Sequence, residues 1–393
     1  MTEVSGLGAK PPELLSVAAA WFDYDNDGKL DLVVSNYTFW TPEKDQRCRR
    51  DDVEFYCSPK VYKSVPHRLY HNLGEGRFED VTEKSGFAKA LGKGMGISIA
   101  DFNDDGWQDV FVANDTERNF LYVNQRDGTF KESGLLLGIA YNDTATTVSA
   151  MGCDAKDFDN DGWVDIFYNN LMGQIWALFK NREGRNFRYF SAPTQMARLS
   201  EPLSGWSNGF IDYNNDGWKD IYSSNGDVDY LVDNARQHDT LFENHGGAEL
   251  VDVSAEMGKD FLRPGFQRSS AFADLDNNGF LDIVVTSLNA RPRILMNSGG
   301  NGAHWLLVDL RGRAENRDAI GAKLKLVTES GRALYNHVSV SVGFMGSSDR
   351  RVHFGLGDER EIRELEIRWP GGIVQRVSRP KPDQILKLEE PRP

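Results

Sequence analysis

Short apolar runs alternate with turn-forming residues along the chain, and the same order of runs returns several times. A first apolar run, such as residues 17–22 or 270–273, precedes an Asp-rich segment, and a β-rich run such as residues 32–34 or 110–112 follows it. Two further short runs complete the unit, so the pattern predicts strand, Asp-rich loop, strand, turn, strand, turn, strand. Four strands in roughly 55 residues is the size of one β-propeller blade, which buries both faces only by stacking on other blades.

The Asp-rich segment fits the pattern D-x-[DN]-x-[DN]-G-x-x-D in five places. These are residues 23–31, 101–109, 157–165, 212–220 and 274–282, named here loop 1 to loop 5. Their first residues lie 78, 56, 55 and 62 positions apart. The longer first interval predicts an insertion at about residues 37–65, on one face of the propeller.

The oxygen-bearing side chains of each loop stand at positions 1, 3, 5 and 9, and the glycine at position 6 permits a tight turn that brings them to one point. Calcium takes roughly six to eight oxygen ligands. We therefore expect these side chains, with the backbone carbonyl at position 7, to bind one Ca²⁺ per loop and about five in all. The expected ligands are Asp23, Asp25, Asp27, Lys29 and Asp31; Asp101, Asn103, Asp105, Trp107 and Asp109; Asp157, Asp159, Asp161, Trp163 and Asp165; Asp212, Asn214, Asp216, Trp218 and Asp220; and Asp274, Asp276, Asn278, Phe280 and Asp282.

Asn replaces Asp at one ligand position in loops 2, 4 and 5, so the ligand charge predicts the tightest binding in loops 1 and 3. An EF-hand is rejected, because that loop ends in a glutamate between two helices. Solvated turns are the alternative, since Asn, Asp and Gly favour turns. Five copies with the glycine and the last aspartate in register favour metal binding. The net charge of −14 would be largely offset by five divalent cations, and it excludes nucleic acid as a partner.

Three cysteines are present, and Cys48 and Cys57 lie close together in the insertion, outside any CxxC or zinc-type spacing. We expect a disulfide between them, with two free thiols as the alternative. Cys153 is expected to be a small buried residue in a strand. No apolar run is long enough to cross a membrane, so no membrane insertion is expected. The first residues lack the features of a signal peptide.

Residues from about 300 onward contain no Asp-rich loop. Alternating stretches such as residues 306–310, 322–327 and 364–369 predict antiparallel strands there. We therefore expect an all-β chain in which residues 1–300 form the propeller and residues 301–393 form a small β-sandwich or barrel. This smaller domain either binds a ligand or packs on the last blade. We favour packing, because an edge blade needs a cover.

The chain resembles FG-GAP/VCBS-repeat propeller proteins with a C-terminal ASPIC/UnbV domain, the cartilage acidic protein 1-like family. The resemblance is carried by the five loops and by residues 68–82, 114–116, 301–306, 316–322, 353–357 and 367–372. It implies an integrin-like propeller, often of about seven blades, and a secreted, periplasmic or cell-surface location. Residues 2–8 look like the end of a repeat, so a truncated ring and a smaller closed ring both stay open. The resemblance assigns no role to residues 343–349, where family members have a Tyr-rich segment.

No catalytic constellation stands out, so we lean towards a non-catalytic protein. Residues 205–209 match the pattern G-x-S-x-G, but a strand and loop 4 follow Ser207 where a nucleophile elbow requires a helix. His67 and His71 are four residues apart in a strand-like run. We interpret them as a surface pair near a turn rather than as a transition-metal site.

We expect a calcium-binding scaffold for extracellular recognition or adhesion of a protein or glycan ligand. A structural surface protein and a calcium-stabilised enzyme (biosynthetic, cyclase-like or hydrolytic) that uses the propeller channel are the alternatives. An exposed aromatic patch on the insertion would favour recognition, although the same side chains could instead anchor the insertion. These residues are Tyr37, Phe39, Trp40, Phe55 and Tyr56.

Overall fold

A computed structural model describes residues 5–7, 13–50, 52–192, 194–313 and 315–392. Five antiparallel sheets follow one another along the chain, each built around one of the five loops, and we name them blade 1 to blade 5. Their strands are Leu14–Phe22, Asp31–Phe39, Arg68–Gly74 and Arg77–Asp80; Gly94–Ala100, Asp109–Asn114, Phe120–Asn124 and Phe130–Glu132; Ala150–Lys156, Asp165–Asn170, Ala177–Asn181 and Phe187–Tyr189; Gly205–Ile211, Asp220–Asn225, Thr240–His245 and Glu249–Asp252; and Gln267–Ala273, Asp282–Ser287 and Arg293–Leu295. The predicted all-β fold of repeated blade sheets is confirmed.

The register within each blade places the loop at one end of the first two strands. Position 9 of the loop pairs with the last residue of the first strand, as Asp31 does with Phe22 and Asp282 with Ala273. The first strands of consecutive blades contact one another. Such close approach requires glycine at some positions, because a Cβ on Gly96 would lie 2.8 Å from the Cys153 backbone nitrogen.

Each pair of consecutive blades buries its own apolar cluster. Phe22 and Val110 belong to the cluster between blades 1 and 2, and Phe111 and Ile166 to the cluster between blades 2 and 3. Two further clusters lie between blades 3 and 4 and between blades 4 and 5. Burial of apolar area contributes about 25 cal/mol per Å², so the stacking of blades stabilises this part of the chain.

The insertion after the second strand of blade 1 is folded. It contains the hairpin Cys48–Arg50 and Val53–Phe55, a 3₁₀ turn at Pro59–Val61, and the short strand Val65–Pro66, which pairs with Leu91–Gly92. It leaves the sheet at the end opposite loop 1. The other helical segments are Thr82–Ser85, Phe87–Lys89, Gln195–Ser200 and Ser254–Glu256. Within the described part of the chain, none of the helices has the length and apolar character needed to span a bilayer.

The C-terminal region forms two sheets around one apolar cluster that includes Leu306, Leu324, Leu365 and Trp369. One sheet has His304–Arg311 between Val352–Gly357 and Gln384–Glu389, and the other has the order Ala333–His337, Lys323–Thr328, Ile362–Arg368 and Val374–Ser378. The prediction of antiparallel strands is wrong for one pair, because His304–Arg311 and Gln384–Glu389 run parallel. Their order in the chain places a long connection between them, which parallel pairing permits.

A hairpin of Ser341–Val342 and Gly346–Ser347 leaves the C-terminal sheets and contacts the first strands of all five blades. At its tip, Gly343 exchanges backbone hydrogen bonds of 2.8 and 3.4 Å with Cys153. Phe344 packs on Trp206 with ring centroids 5.0 Å apart. The segment to which the resemblance assigned no role therefore fills the space between the first strands.

The C-terminal sheets pack against the loops of all five blades. The favoured expectation of packing on the last blade alone is therefore too narrow. The contacts are Asn316 N–H with Gly28 O, Lys323 with Asp101, Tyr335 N–H with Asn160, Arg332 with Asp216 O, and Arg351 with Asp274 O. Alternation of apolar residues predicted the strands, but it carries no signal for these polar contacts.

Candidate metal centres

All five loops share one backbone geometry. Position 4 is left-handed in each, with φ of 56, 55, 56, 60 and 60° at Asn26, Asp104, Asn160, Asn215 and Asn277. The glycine at position 6 is left-handed as well, from 85° at Gly217 to 96° at Gly162. Asn, Asp and Gly tolerate this region best, which explains why the two positions repeat in sequence.

The carboxylate at position 1 holds the turn closed from inside. In loop 1, Asp23 accepts hydrogen bonds from the backbone N–H groups of Asp27 (3.1 Å) and Gly28 (2.9 Å). Asp101, Asp157 and Asp274 accept the equivalent pairs. The side chain at position 5 accepts from the N–H of position 7 in every loop. These bonds aim the side-chain oxygens into the loop.

Position 9 lies buried beneath the loop and joins it to the sheet. Asp165 accepts from the N–H of Phe158 at 2.9 Å and from the N–H of Asn181 in the third strand at 2.7 Å. Burial raises the pKa of Asp31 to about 8 and the pKa values of Asp109, Asp165 and Asp220 well above the ordinary range, and neighbouring loop carboxylates raise them further. A cation in the loop would relieve this repulsion.

The structure brings predicted ligands together in loops 1, 3 and 5. In each of these loops, one carboxylate oxygen from each of positions 1, 3 and 9 lies within 4.8 Å of the other two. The three groups are Asp23, Asp25 and Asp31; Asp157, Asp159 and Asp165; and Asp274, Asp276 and Asp282. In loops 2 and 4, the Asn at position 3 contacts the carboxylate at position 5, as Asn103 does Asp105 at 3.1 Å. The position 7 carbonyls of Lys29, Trp107, Trp163, Trp218 and Phe280 stay predicted ligands.

The donor set fits a hard dication. Asp159 Oδ1 and Asp212 Oδ1 are buried and accept no hydrogen bond from the described residues. Burial raises the pKa of Asp23 to about 6 and that of Asp157 to about 7. Cavities of about 390 and 430 Å³ between the loops and the C-terminal sheets are lined by Asp23, Asp101 and Asp157. Buried, unpaired carboxylate oxygens of this kind are the ligands that Ca²⁺ prefers.

Positive side chains from elsewhere in the chain also reach the loops. Lys180 lies 2.8 Å from Asp159, and Arg126 lies 2.9 Å from Asp105. Lys323 of the C-terminal region lies 2.7 Å from both Asp101 and Asp104. Reasoning from the loop motif missed these cations, because nothing in the spacing connects Lys323 with a loop more than two hundred residues earlier.

A repeated Asn at the end of the third strand joins the loops of consecutive blades. In blades 2, 3 and 4, its side-chain amide donates to the carbonyl of position 8 in its own loop and to the carbonyl of position 2 in the preceding loop, whereas, among the described residues, Asn72 makes only the first bond and Asn297 only the second. The observed acceptors are Leu30 for Asn72; Gln108 and Tyr24 for Asn124; Val164 and Phe102 for Asn181; Lys219 and Phe158 for Asn244; and Tyr213 for Asn297. An alignment of the five repeats shows this Asn at the same place in each, so its structural role could have been inferred from the sequence.

The other residues singled out in sequence have defined places. Cys48 and Cys57 form a disulfide, and Cys153 is a buried strand residue, as predicted. Ser207 lies fully buried in a strand, where its hydroxyl accepts the Phe344 N–H at 3.1 Å. The interpretation of His67 and His71 as a surface pair is wrong, because His67 is fully buried. Its Nδ1 accepts from the Asn36 N–H, whereas His71 stands beside loop 1.

Some aromatic residues of the insertion anchor it to the blades, and others are exposed to solvent. The Tyr37 hydroxyl donates to Asp115 at 2.7 Å, and the Phe55 ring lies 5.7 Å from that of Tyr230 in blade 4. Tyr56 is 71% exposed and Phe39 48% exposed. Arg50 binds Asp229 with both terminal nitrogens. The insertion therefore reaches from blade 1 to blade 4 and presents an aromatic surface there.

Two known protein families match parts of the chain. Residues 63–112, 101–168 and 157–223 match the FG-GAP-like repeat, and residues 312–393 match the ASPIC and UnbV domain. The chain carries FG-GAP-like repeats and an ASPIC/UnbV domain. The repeat matches include loops 2, 3 and 4, and loops 1 and 5 share their backbone geometry and hydrogen bonds.

Among curated relatives, the chain is similar to cartilage acidic protein 1. The Homo sapiens protein is 24% identical over 384 residues, which cover 95% of this chain and 54% of the relative. The Mus musculus protein is likewise 24% identical, with 95% and 55% covered, and the Xenopus tropicalis protein is 26% identical, with 79% and 48% covered. The chain thus spans about half the length of the curated relatives it matches.

Among solved structures, the chain is similar to an Agrocybe aegerita lectin that recognises non-reducing terminal N-acetylglucosamine, with 16% identity and a TM-score of 0.37. That likeness covers 72% of this chain and 81% of the lectin. The V. cholerae biofilm matrix protein Bap1 is 11% identical with a TM-score of 0.39, and 96% of this chain and 61% of Bap1 are covered. Both likenesses are too distant to inform the function.

Proposed function

We propose that this FG-GAP repeat chain is a calcium-binding scaffold in which about five Ca²⁺ ions, one in each loop, hold the blades together. The observation that supports this most directly is the five-fold repetition of one loop geometry, with carboxylate oxygens grouped together in loops 1, 3 and 5. Loops 2 to 5 are also each hydrogen-bonded to an Asn whose side chain reaches the preceding loop. An ion bound in one loop would therefore stabilise the interface between two blades.

The scaffold acts outside the cytosol and recognises a protein or glycan ligand, according to this proposal. A disulfide persists in oxidising compartments, which supports the location. The exposed rings of Tyr56 and Tyr230, which flank the half-buried Phe55, support recognition, because aromatic side chains on a rigid frame are effective binding groups. The enzyme alternative would need an open channel, and the hairpin tip with Gly343 and Phe344 occupies the space between the first strands.

The calcium part is tested by thermal unfolding in EDTA and in millimolar Ca²⁺, with a metal count per chain. We expect a large rise in the unfolding temperature with Ca²⁺ and about five bound ions, since one site at a hundredfold excess over Kd contributes about 2.7 kcal/mol. Asp276→Ala at loop 5 should lower the count by one. Asp143→Ala, in an exposed turn, is the matched control. No shift and no bound metal would overturn the calcium scaffold.

The recognition part is tested by binding of the calcium-loaded chain to a glycan array and to an array of extracellular proteins. Tyr56→Ala and Tyr230→Ala should each remove binding to whichever array gives a signal. Leu136→Ala is the matched control, because Leu136 is 77% exposed on a different loop. Equal binding by Tyr56→Ala, Tyr230→Ala and the control would reject the aromatic surface as the recognition site.

A further inference from the structure

One position at or just after the end of the third strand is equivalent in all five blades. It is the residue just before the Asn whose backbone N–H binds the position 9 aspartate at 2.7 or 2.8 Å. That shared bond makes the five positions equivalent. They are occupied by His71, Val123, Lys180, Glu243 and Met296. Besides the Asn-for-Asp exchanges in loops 2, 4 and 5, this neighbouring residue adds a chemical difference among the five sites.

In blade 1 the neighbour is an imidazole directed at the loop. His71 Nδ1 lies 3.2 Å from Asp31 Oδ1 and 3.4 Å from Asp25 Oδ2. His71, Asp25 and Asp27 each offer a ligand atom within 4.8 Å of the others. The ring packs edge-on against Tyr24, with centroids 5.8 Å apart. Loop 1 therefore adds a nitrogen donor to its carboxylate oxygens.

The same position acts differently in loops 3 and 4. In blade 3, the Lys180 ammonium lies 2.8 Å from Asp159 and reduces the negative charge of the loop. In blade 4, Glu243 accepts a 2.5 Å hydrogen bond from Tyr213 at position 2 of loop 4 and acts electrostatically on Asp216. Neither side chain supplies a nitrogen ligand. Among these three neighbours, His71 alone changes the donor type rather than the charge.

We propose that loop 1 prefers a transition-metal dication of the Mn²⁺ or Zn²⁺ type over Ca²⁺ when both are supplied, while the other loops take Ca²⁺. With Ca²⁺ alone, all five loops fill with Ca²⁺. The proposal rests on the proposed function, namely that the loops bind divalent cations. Ca²⁺ takes oxygen ligands, whereas imidazole suits transition metals and carboxylates also suit Mn²⁺. Loop 1 groups His71 with Asp25 and Asp27, the latter also paired with Lys29, so its mixed nitrogen and oxygen donors favour an ion that accepts both. Loss of His71 would return loop 1 to the oxygen chemistry of its neighbours.

The test uses Mn²⁺ as the probe on the full chain, stripped with EDTA and equilibrated with one Mn²⁺ per chain in millimolar Ca²⁺. Retained Mn²⁺ is measured by elemental analysis, and nitrogen coordination is measured by pulsed electron paramagnetic resonance. We expect one Mn²⁺ per chain with a ¹⁴N coupling. His71→Val, which places the residue of blade 2 in blade 1, should abolish the coupling and weaken Mn²⁺ retention on the order of tenfold or more.

Two further variants make the result specific. His71→Gln offers an amide oxygen in place of nitrogen, so it should give up Mn²⁺ and bind one more Ca²⁺. His304→Val removes a histidine of the C-terminal region that lies beside Asp383, and it should behave as the parent does. Mn²⁺ bound without nitrogen coupling, or held equally well by His71→Val, overturns the proposal. Neither result changes the number of ions bound when Ca²⁺ alone is supplied, so both are distinguishable from a failure of the calcium scaffold itself.

Discussion

The side-chain amide of Asn181 in blade 3 donates a 2.8 Å hydrogen bond to the carbonyl oxygen of Phe102 in loop 2. A second bond from the same amide reaches Val164 in loop 3 at 3.1 Å, and Asn181 Oδ1 accepts the Gly184 N–H at 2.9 Å. One buried side chain therefore ties the loops of two blades to a turn of the third strand.

Replacement of Asn181 by Ala should destabilise the protein by about 3 kcal/mol, because it leaves two buried carbonyls and one N–H without partners. Urea unfolding at saturating Ca²⁺ measures this loss. Gln125→Ala is the control, since the Gln125 amide donates to Val123 O on an exposed turn, and it should stay within about 0.5 kcal/mol of the parent. Similar losses for both variants would contradict the bridging role of Asn181.

The hairpin tip offers a pair of neighbouring residues with opposite burial. Phe344 is 7% exposed and packs on Trp206, whereas Met345 is 55% exposed. Phe344→Ala should cost about 3–5 kcal/mol, as for other buried Phe residues, and Met345→Ala should be close to neutral. Chemical unfolding followed by Trp fluorescence measures both. A small effect of Phe344→Ala would show that the hairpin does not anchor the C-terminal sheets to the blades.

The repeated part of the fold could be predicted from the sequence because the residues that determine the turns and strands of each blade lie close together in the chain. The loop motif fixes where two strands meet, and the left-handed positions Asn26 and Gly28 are visible as Asn and Gly. Apolar alternation then marks the strands. The predicted ligands at positions 1, 3 and 9 converge in loops 1, 3 and 5 because the turn geometry is local.

Contacts between distant parts of the chain could not be predicted in this way. Nothing in the Gly343–Phe344 pair indicates that it reaches Cys153 and Trp206. The sequence indicates only that Lys323 lies in a strand, and its contact with loop 2 depends on the packing of the C-terminal sheets against that loop. His71 was visible in sequence, but only the pairing of the third strand with the second places it beside loop 1.

The Cys48–Cys57 disulfide closes the hairpin that carries Arg50 and Phe55 to blade 4. Replacing both cysteines by Ser should loosen this hairpin without disturbing the metal loops. Hydrogen exchange should increase in residues 46–58 and 229–232, and the calcium count should stay the same. The strand Asp165–Asn170 is the internal reference, since its exchange should not change. Unchanged exchange in residues 46–58 would show that packing against Tyr230 holds the hairpin without the disulfide.

The buried imidazole of His67 makes folding sensitive to acid. Burial lowers the pKa of His67 to about 4, whereas an exposed histidine titrates near 6.5. Since the folded pKa is the lower one, the unfolded chain takes up a proton that the folded chain does not between these two values. The contribution is therefore fully present above about pH 6.5 and is lost as the pH falls towards 4, with a loss of about 2 kcal/mol between pH 7 and pH 5.

His67→Gln isolates this contribution, because the amide oxygen can still accept the Asn36 N–H that His67 Nδ1 accepts at 3.2 Å. All other groups titrate in both proteins, so the difference between their unfolding free energies reports His67 alone. We expect the variant to lose about 2 kcal/mol less than the parent between pH 7 and pH 5 in urea unfolding at constant Ca²⁺. Parallel pH profiles would mean that His67 gains a proton in the folded state as readily as in the unfolded state.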